Sequence, residues 1–293
     1  MKKFFTCIVA VLASFSLIAL ASCGSAEPEK KQVGIQMYSV HQDYANIEPA
    51  LQKIAAAGYT AIETLNFGGV PQCFGLEPAA FKALCDKYGL KIVSTHGGVA
   101  YNPEDLEGTM AKWRELFAGL KTMGAKYCVI PSFKLGETLE DLKAVCDYFN
   151  KVGALAKEYG LKLGYHNHAF EYEVVDGQVK WEYMIENTDP ESVFFQMDVY
   201  WTTQGGKNPV DYLKKYPERI KMLHIKDDLV IGESGKIDFE AIFKQFYKNG
   251  FKDYVVEQEM PHSKSASREE NLARMWDGVA KSAKYLNEAK FTK

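Results

Sequence analysis

Two hydrophobic periods alternate along the chain from residue 33 onward. Amphipathic stretches with apolar residues at helical spacing occupy 51–57, 79–88, 103–123, 139–159 and 239–249. Each is followed by a glycine (Gly58, Gly89, Gly124, Gly160, Gly250), then by a short apolar run that ends in a polar residue. A glycine there supplies the left-handed residue with which many helices end. Helix starts are marked too. Asn102-Pro103-Glu104-Asp105 offers an N-cap, a proline at the first helical position and acids in the first turn, and Thr138-Leu139-Glu140-Asp141 puts an acid three residues after a capping threonine. The apolar runs predict strands over 33–38, 60–65, 91–95, 126–130, 162–166, 193–197, 220–225 and 253–256. Near-continuous apolar character is what strands buried on both faces of a parallel sheet show. Eight such strands alternating with helices predict the α/β class and a single closed (β/α)₈ TIM barrel over residues 33–293. The competing open doubly wound sheet lacks support, because no G-x-G-x-x-G or Walker-type loop follows the first strand.

The first 32 residues fit neither period. Lys2 and Lys3 precede an apolar run over 4–21, broken only by Thr6, Ser14 and Ser16. That run reads as a secretory signal rather than a membrane span. It ends in Leu20-Ala21-Ser22-Cys23, which resembles a bacterial lipobox. The resemblance makes residues 1–22 a signal peptide, Cys23 the lipidated first residue of the mature chain and 23–32 a polar tether. The expected location is the cell envelope, on the periplasmic face, with the lipid as the chain's contact with the membrane. Without residues 1–22, which carry two lysines and no acid, 33 basic residues stand against 38 acidic ones, a net charge of −5. An acidic chain with no basic stripe along its sequence argues against a nucleic-acid partner. Cys73, Cys85, Cys128 and Cys146 lie in apolar or helical contexts without C-x-x-C spacing, and they read as buried thiols. An envelope location leaves one disulfide open.

In a (β/α)₈ barrel the catalytic residues stand at the C-terminal ends of the strands. Here those ends carry Glu63, His96, His166 and His168, Asp198, His224 and Glu257. Four of the six histidines fall in that set, and only His41 and His262 stand apart. Carboxylates and imidazoles on successive strands can converge on one divalent ion, with Mn²⁺, Co²⁺, Zn²⁺ and Mg²⁺ all compatible. Asp198, His224 and Glu257 end the sixth, seventh and eighth predicted strands and are therefore neighbours around the rim. Lys226, two residues past His224, faces the same way and reads either as a ligand for a substrate oxygen or as a lysine snorkelling at the rim. Trp201 and Tyr38 are candidate stacking surfaces for a sugar, or else core aromatics. Glu63 and His96 read as hydroxyl-binding groups or as caps of strand-end amides. Residues 232–238 form a loop that leads to a helix, with Asp238 its N-cap.

Gly34-Ile35-Gln36-Met37-Tyr38-Ser39, Asp198-Val199-Tyr200-Trp201, His224-Ile225-Lys226-Asp227 and Val256-Glu257-Gln258-Glu259 together resemble the xylose-isomerase-like barrel superfamily, over roughly residues 33–288. That group holds sugar and sugar-phosphate isomerases and epimerases, inosose dehydratase and the family 2 apurinic endonucleases. The resemblance implies a divalent-metal-dependent sugar isomerase or epimerase that abstracts a proton next to a carbonyl. It places one metal ion on residues of the fifth to eighth strands, of which the last three map onto Asp198, His224 and Glu257. Where relatives carry a glutamate on the fifth strand, this chain has His166 of the run His166-Asn167-His168. Strand alternation puts His166 and His168 on one face, so either can be the ligand and the other the base. Glu171, three residues past His168, can reach in from the loop to ligand or substrate. The expected metal set is His166, Asp198, His224 and Glu257, and the expected acid–base residues are Glu257, His166 and His168. Loss of the first carboxylate also suits enolisation followed by elimination, which makes a keto-sugar lyase or inosose-dehydratase-like enzyme the alternative. A sugar-binding lipoprotein without turnover is expected to have lost Asp198, His224 or Glu257, and an endonuclease to carry more ligands and a basic face. The expected partner is a small free sugar, with assembly into a homo-oligomer left open.

Overall fold

Helix termini and strand ends follow the punctuation of the sequence closely. The computed structural model describes residues 31–293, so residues 1–22, Cys23 and most of the tether lie outside the described residues. The strands are β1 (Gly34–Gln36), β2 (Ala61–Phe67), β3 (Lys91–Gly98), β4 (Tyr127–Ile130), β5 (Lys162–His166), β6 (Val193–Asp198), β7 (Ile220–Ile225) and β8 (Tyr254–Val256). All pair in parallel and close in the order β1-β8-β7-β6-β5-β4-β3-β2. The helices are α1 (Ile47–Ala56), α2 (Pro78–Lys87), α3 (Leu106–Met123), α4 (Leu139–Glu158), α5 (Lys180–Asn187), α6 (Val199–Gln204), α7 (Pro209–Lys215), α8 (Phe239–Lys248) and α9 (Arg268–Glu288). Thr138 and Asp141 form the expected capping box at α4, and Asp238 caps α8 through Ala241 N. Residues 31–293 form one unit with its own core.

Three departures from the sequence reading have local causes. β1 stops at Gln36 because the Gln36 side chain accepts the Tyr38 amide and turns the chain into a 3₁₀ helix, so Tyr38 is not a strand residue. β2 and β3 run on to Phe67 and Gly98, held by mutual pairing. The connections around β6 also carry structure the pattern did not announce: a small hairpin (Val174–Val175 with Gln178–Val179), and α6 and α7. The four cysteines are free and buried, as expected. Among the described residues no helix is long and apolar enough to cross a membrane.

The barrel interior is layered. Tyr127, Val129, Phe194, Met222 and Val255 form an apolar plug near the strand starts. Gly164 is required there, because a Cβ would stand 2.6 Å from Cζ of Phe194. Below the plug Asp253 accepts hydrogen bonds from the Lys126 ammonium (2.5 Å) and the Tyr127 hydroxyl (2.6 Å), closing the lower mouth. Above it the inward side chains turn polar.

Candidate metal and sugar site

Glu63 and Gln196 sit beside register shifts in the β2/β3 and β6/β7 pairings, where a bulge re-aims side chains. Both point inward and are fully buried. Glu63 accepts from Gln36 Nε2 (2.7 Å) and Gln196 Nε2 (2.9 Å), and His96 Nε2 lies 3.0 Å from its Oε1. Gln196 Oε1 in turn lies 2.9 Å from His96 Nε2 and 3.1 Å from His166 Nδ1. An amide oxygen only accepts, so this network puts the His166 proton on Nδ1 and leaves Nε2 with a free lone pair. Lys226 and Glu257 close the upper layer through a 2.6 Å ion pair, and Glu259 stands 3.1 Å from the same ammonium.

The imidazoles of His96, His166 and His224 are buried and offer nitrogens within 4.8 Å of one another. Carboxylates surround them. Asp198 Oδ2 lies 3.1 Å from His224 Nδ1 and 4.0 Å from His166 Nε2, and Glu257 Oε2 lies 3.7 Å from His224 Nε2. Asp198 is fixed from behind. Its Oδ1 caps α6 by accepting the Trp201 amide, and its own amide donates to Asn167 Oδ1. The donor chemistry fits a divalent ion, because His224 Nε2 is buried without a hydrogen-bond partner.

Burial pushes the His166 imidazole well below its ordinary range, and the neighbouring His224, His96 and His168 push it further. His168 is lowered mainly by burial. His224 moves the other way: burial opposes its charged form, but the Asp198 hydrogen bond and the charges of Glu257, Asp198 and Glu63 outweigh it. For Glu257 burial works upward, yet His224 and Lys226 hold its carboxyl down at about 2. Lys226 is kept charged against burial by Glu257 and Glu259. At neutral pH the centre therefore offers neutral His166 and His168, an ionised Glu257 and an ammonium at Lys226.

His166, Asp198, His224 and Glu257 are brought together, with His96 beside them. His96 is nearly buried, stacked on His224 at 5.2 Å between ring centroids, and its Nε2 faces Gln196 and Glu63 rather than a sugar. Glu63 is not at the rim: it is fully buried with both oxygens engaged, and its Oε1 also lies 3.7 Å from His224 Nε2, so it stands beside the imidazoles rather than on an open hydroxyl-binding surface. Glu171 is also corrected. It is fully buried and accepts from the Tyr165 hydroxyl (2.7 Å) and the His168 amide (2.8 Å), so it does not reach in as a ligand. Lys226 does not snorkel; only 4% of it is exposed. A cavity of about 350 Å³ opens above it, lined by Tyr38, Trp201, Glu259 and the two histidines set aside in the sequence, His41 and His262. Tyr38 stacks on His41 at 4.6 Å, and Trp201 lies 5.6 Å from His168. Gln36, Gln196 and Asn167 carry the supporting network; Gln36 and Asn167 lay inside motifs of the sequence without a role, and Gln196 had no motif to reveal it.

Comparison with known proteins agrees with this architecture. Residues 51–288 match the family described as Xylose isomerase-like TIM barrel. The inosose dehydratase of Geobacillus kaustophilus is 27% identical over 202 residues, covering 63% of this chain and 63% of its own length, so the match spans a little under two thirds of that relative. A crystal structure of a sugar phosphate isomerase/epimerase from Parabacteroides distasonis superposes with a TM-score of 0.82 at 32% identity, covering 94% of this chain and 100% of that one. The fold extends to a structure of the IOLI protein with a bound zinc atom, at a TM-score of 0.64 and 17% identity over 87% of this chain and 99% of that one.

Proposed function

The chain belongs to the xylose isomerase-like TIM barrel family, and from that premise we propose that it is a divalent-metal-dependent sugar isomerase or epimerase that moves a proton next to a carbonyl. The observation that carries this reading is the convergence of His166, Asp198, His224 and Glu257, with His224 Nε2 buried and unpartnered. Those four residues would hold the ion, which when bound supplies Lewis-acid polarisation of a sugar carbonyl or its neighbouring hydroxyl. The zinc of the IOLI protein and the mixture of imidazole and carboxylate donors support Zn²⁺, Co²⁺ or Mn²⁺ over Mg²⁺.

The chain's own side chains do the rest. His168, kept neutral by burial, is the proton acceptor on the β5 side. Ionised Glu257 stands on the β8 side as the second proton-transfer group. Lys226 donates to whichever substrate oxygen gains charge as the proton leaves. Tyr38 and Trp201 present ring faces on which a pyranose or an open-chain sugar can stack. With Cys23 lipidated and the barrel in the cell envelope, which we also propose, the substrate is a free sugar or keto-sugar rather than a sugar phosphate.

A second reading is favoured by the departure at the fifth strand: the resemblance implies a glutamate where this chain has His166, and Lys226, 2.6 Å from Glu257, is placed to hydrogen-bond a departing hydroxyl. That pairing suits removal of a proton followed by loss of a hydroxyl, the chemistry named in the inosose dehydratase of Geobacillus kaustophilus. Incubation of the purified protein with keto-sugars in D₂O separates the two. An isomerase or epimerase leaves a sugar of unchanged composition apart from deuterium, and a dehydratase yields a product lighter by one water. Metal analysis and Glu257→Gln test the shared core. We expect a stoichiometric divalent ion, and a loss of turnover of at least about a hundredfold in the variant. A metal-free active protein, or full turnover in Glu257→Gln, sinks the proposal.

A further inference from the structure

The barrel gathers positive charge that the sequence scatters. Lys91 and Lys162 are the first residues of β3 and β5, Lys126 stands just before β4, and Lys252 lies two residues before β8; all four are exposed. Arg219 and Lys221 flank the start of β7. Strand-start positions in a parallel barrel share one end, so these cations gather at the lower mouth. Lys126 is paired with Asp253 and Arg219 is turned onto Ile185 O and Thr188 Oγ1, which leaves Lys91, Lys162, Lys221 and Lys252 to set the charge of the face. Lys126 and Lys162 are direct neighbours, the Lys162 amide donating to the Lys126 carbonyl at 3.2 Å. Asp253, the acid at the centre of this face, is buried and spent on Lys126, Tyr127 and Gln32; Glu191 and Glu218 lie near Lys221. Helix dipoles explain cations in last helical turns, but they give no reason for lysines at the starts of strands. Asp189 faces Arg219 at this end as well, while Asp227, Asp228 and Glu259 lie at the catalytic mouth.

The chain also enters the barrel at this end. Lys31 is seated there by bonds to Ala289 O (2.5 Å) and Thr292 Oγ1 (2.9 Å), and its carbonyl accepts from Thr60. Lys31 lies eight positions after Cys23, a reach of at most about 28 Å when fully extended. We propose that the strand-start face docks electrostatically on an anionic phospholipid bilayer, and so holds the catalytic mouth, at the other end of the strands, toward the aqueous phase. Clustered lysines over a surface of phosphodiester headgroups are the complementary pair, and their attraction acts within about one Debye length, roughly 8 Å. A lipid on Cys23 adds retention, while this face adds orientation.

The test uses residues 24–293, which keep the whole barrel and its core but cannot be lipidated. Co-sedimentation is measured with phosphatidylcholine vesicles and with vesicles that also contain phosphatidylglycerol. We expect binding to the second only. The triple variant Lys91→Glu/Lys162→Glu/Lys252→Glu should weaken it at least about tenfold, whereas Lys134→Glu, in the β4–α4 loop at the opposite end, should leave it unchanged. Equal binding to both vesicles, or a folded triple variant that binds like the parent, overturns the proposal. If the triple variant does not fold, the parent decides: binding that persists in salt high enough to shrink the Debye length to about 3 Å is not electrostatic docking. Equally tight binding to duplex DNA overturns it in favour of a soluble polyanion.

Discussion

Gln196 decides where the protons of the centre sit. Its amide oxygen faces both His96 and His166, and its amide nitrogen donates to Glu63. Gln196→Leu keeps the volume but strips one buried carboxylate of a donor and two imidazoles of an acceptor. We expect a loss of about 1–3 kcal/mol of stability by denaturant unfolding, together with metal binding weakened about 10–100-fold by calorimetric titration. A variant with unchanged affinity would show that His166 is oriented by something else. Glu171 gives a pH test. Burial raises its carboxyl from 4.5 to about 7 in the folded chain. The folded state therefore holds a proton that the unfolded chain releases near 4.5, so this residue's contribution falls as pH rises from about 4.5 through about 7. Glu171→Gln removes the titration. The stability of the variant relative to the parent should climb across that window by up to about 3 kcal/mol, read from thermal melts at several pH values, and parallel profiles would refute the assignment. The strand-end histidines were legible because each is a polar residue closing an apolar run. Gln196 was not, since a lone glutamine in such a run has no motif, and Gln36 stood in the first-strand motif with nothing to mark its role. Glu63 and Glu171 were misplaced because alternation tells which face a residue takes, not how deep it lies or which neighbour claims it.

At the scale of elements, the strands were readable where burial on both faces made them continuous, and the helices where glycine and cap residues bounded them. The hairpin at 174–179 and α6 and α7 were hidden because each is too short for a period to build up, and α6 starts from the very aspartate that ends β6. Tyr38 was drawn into a strand because hydropathy cannot see that Gln36 captures its amide. Packing between strands sets a further constraint that pattern alone does not show. Gly164 on β5 lies under the Phe194 ring of β6, with three ring atoms between 2.6 and 3.0 Å of where a Cβ would stand. Gly164→Ala must push Phe194 into the apolar plug that it shares with Tyr127 and Met222. Overpacking of this kind costs about 1–3 kcal/mol. Equilibrium denaturation should show that loss, and the double variant Gly164→Ala/Phe194→Leu should recover part of it. A Gly164→Ala protein as stable as the parent would mean that the plug has slack.

On the scale of the whole molecule, the barrel closes without covalent help, since the four cysteines of the described residues are free. Its upper interior nevertheless concentrates carboxylates and imidazoles that would repel or lack partners if left to themselves, with Glu257 held ionised and His224 Nε2 unpaired. Polar groups of this kind cost stability when buried without a partner. A divalent ion held by His166, Asp198, His224 and Glu257 would tie β5, β6, β7 and β8 together and offset that cost. Because the ligands come from four strands, the unfolded chain presents no comparable site, and binding free energy becomes folding free energy. At free metal about a hundredfold above the dissociation constant, linkage gives about 2.7 kcal/mol. For a domain of this size, at about 2–4 °C per kcal/mol, that is a fall of roughly 5–10 °C in melting temperature when a chelator removes the ion. The shift should return on adding Zn²⁺, Co²⁺ or Mn²⁺, and it should shrink in Glu257→Gln, which keeps the shape of the site but loses a charged ligand. Chelation that leaves the melt unmoved in the parent, in protein shown by elemental analysis to have lost its metal, would place the ion elsewhere than on these four strands.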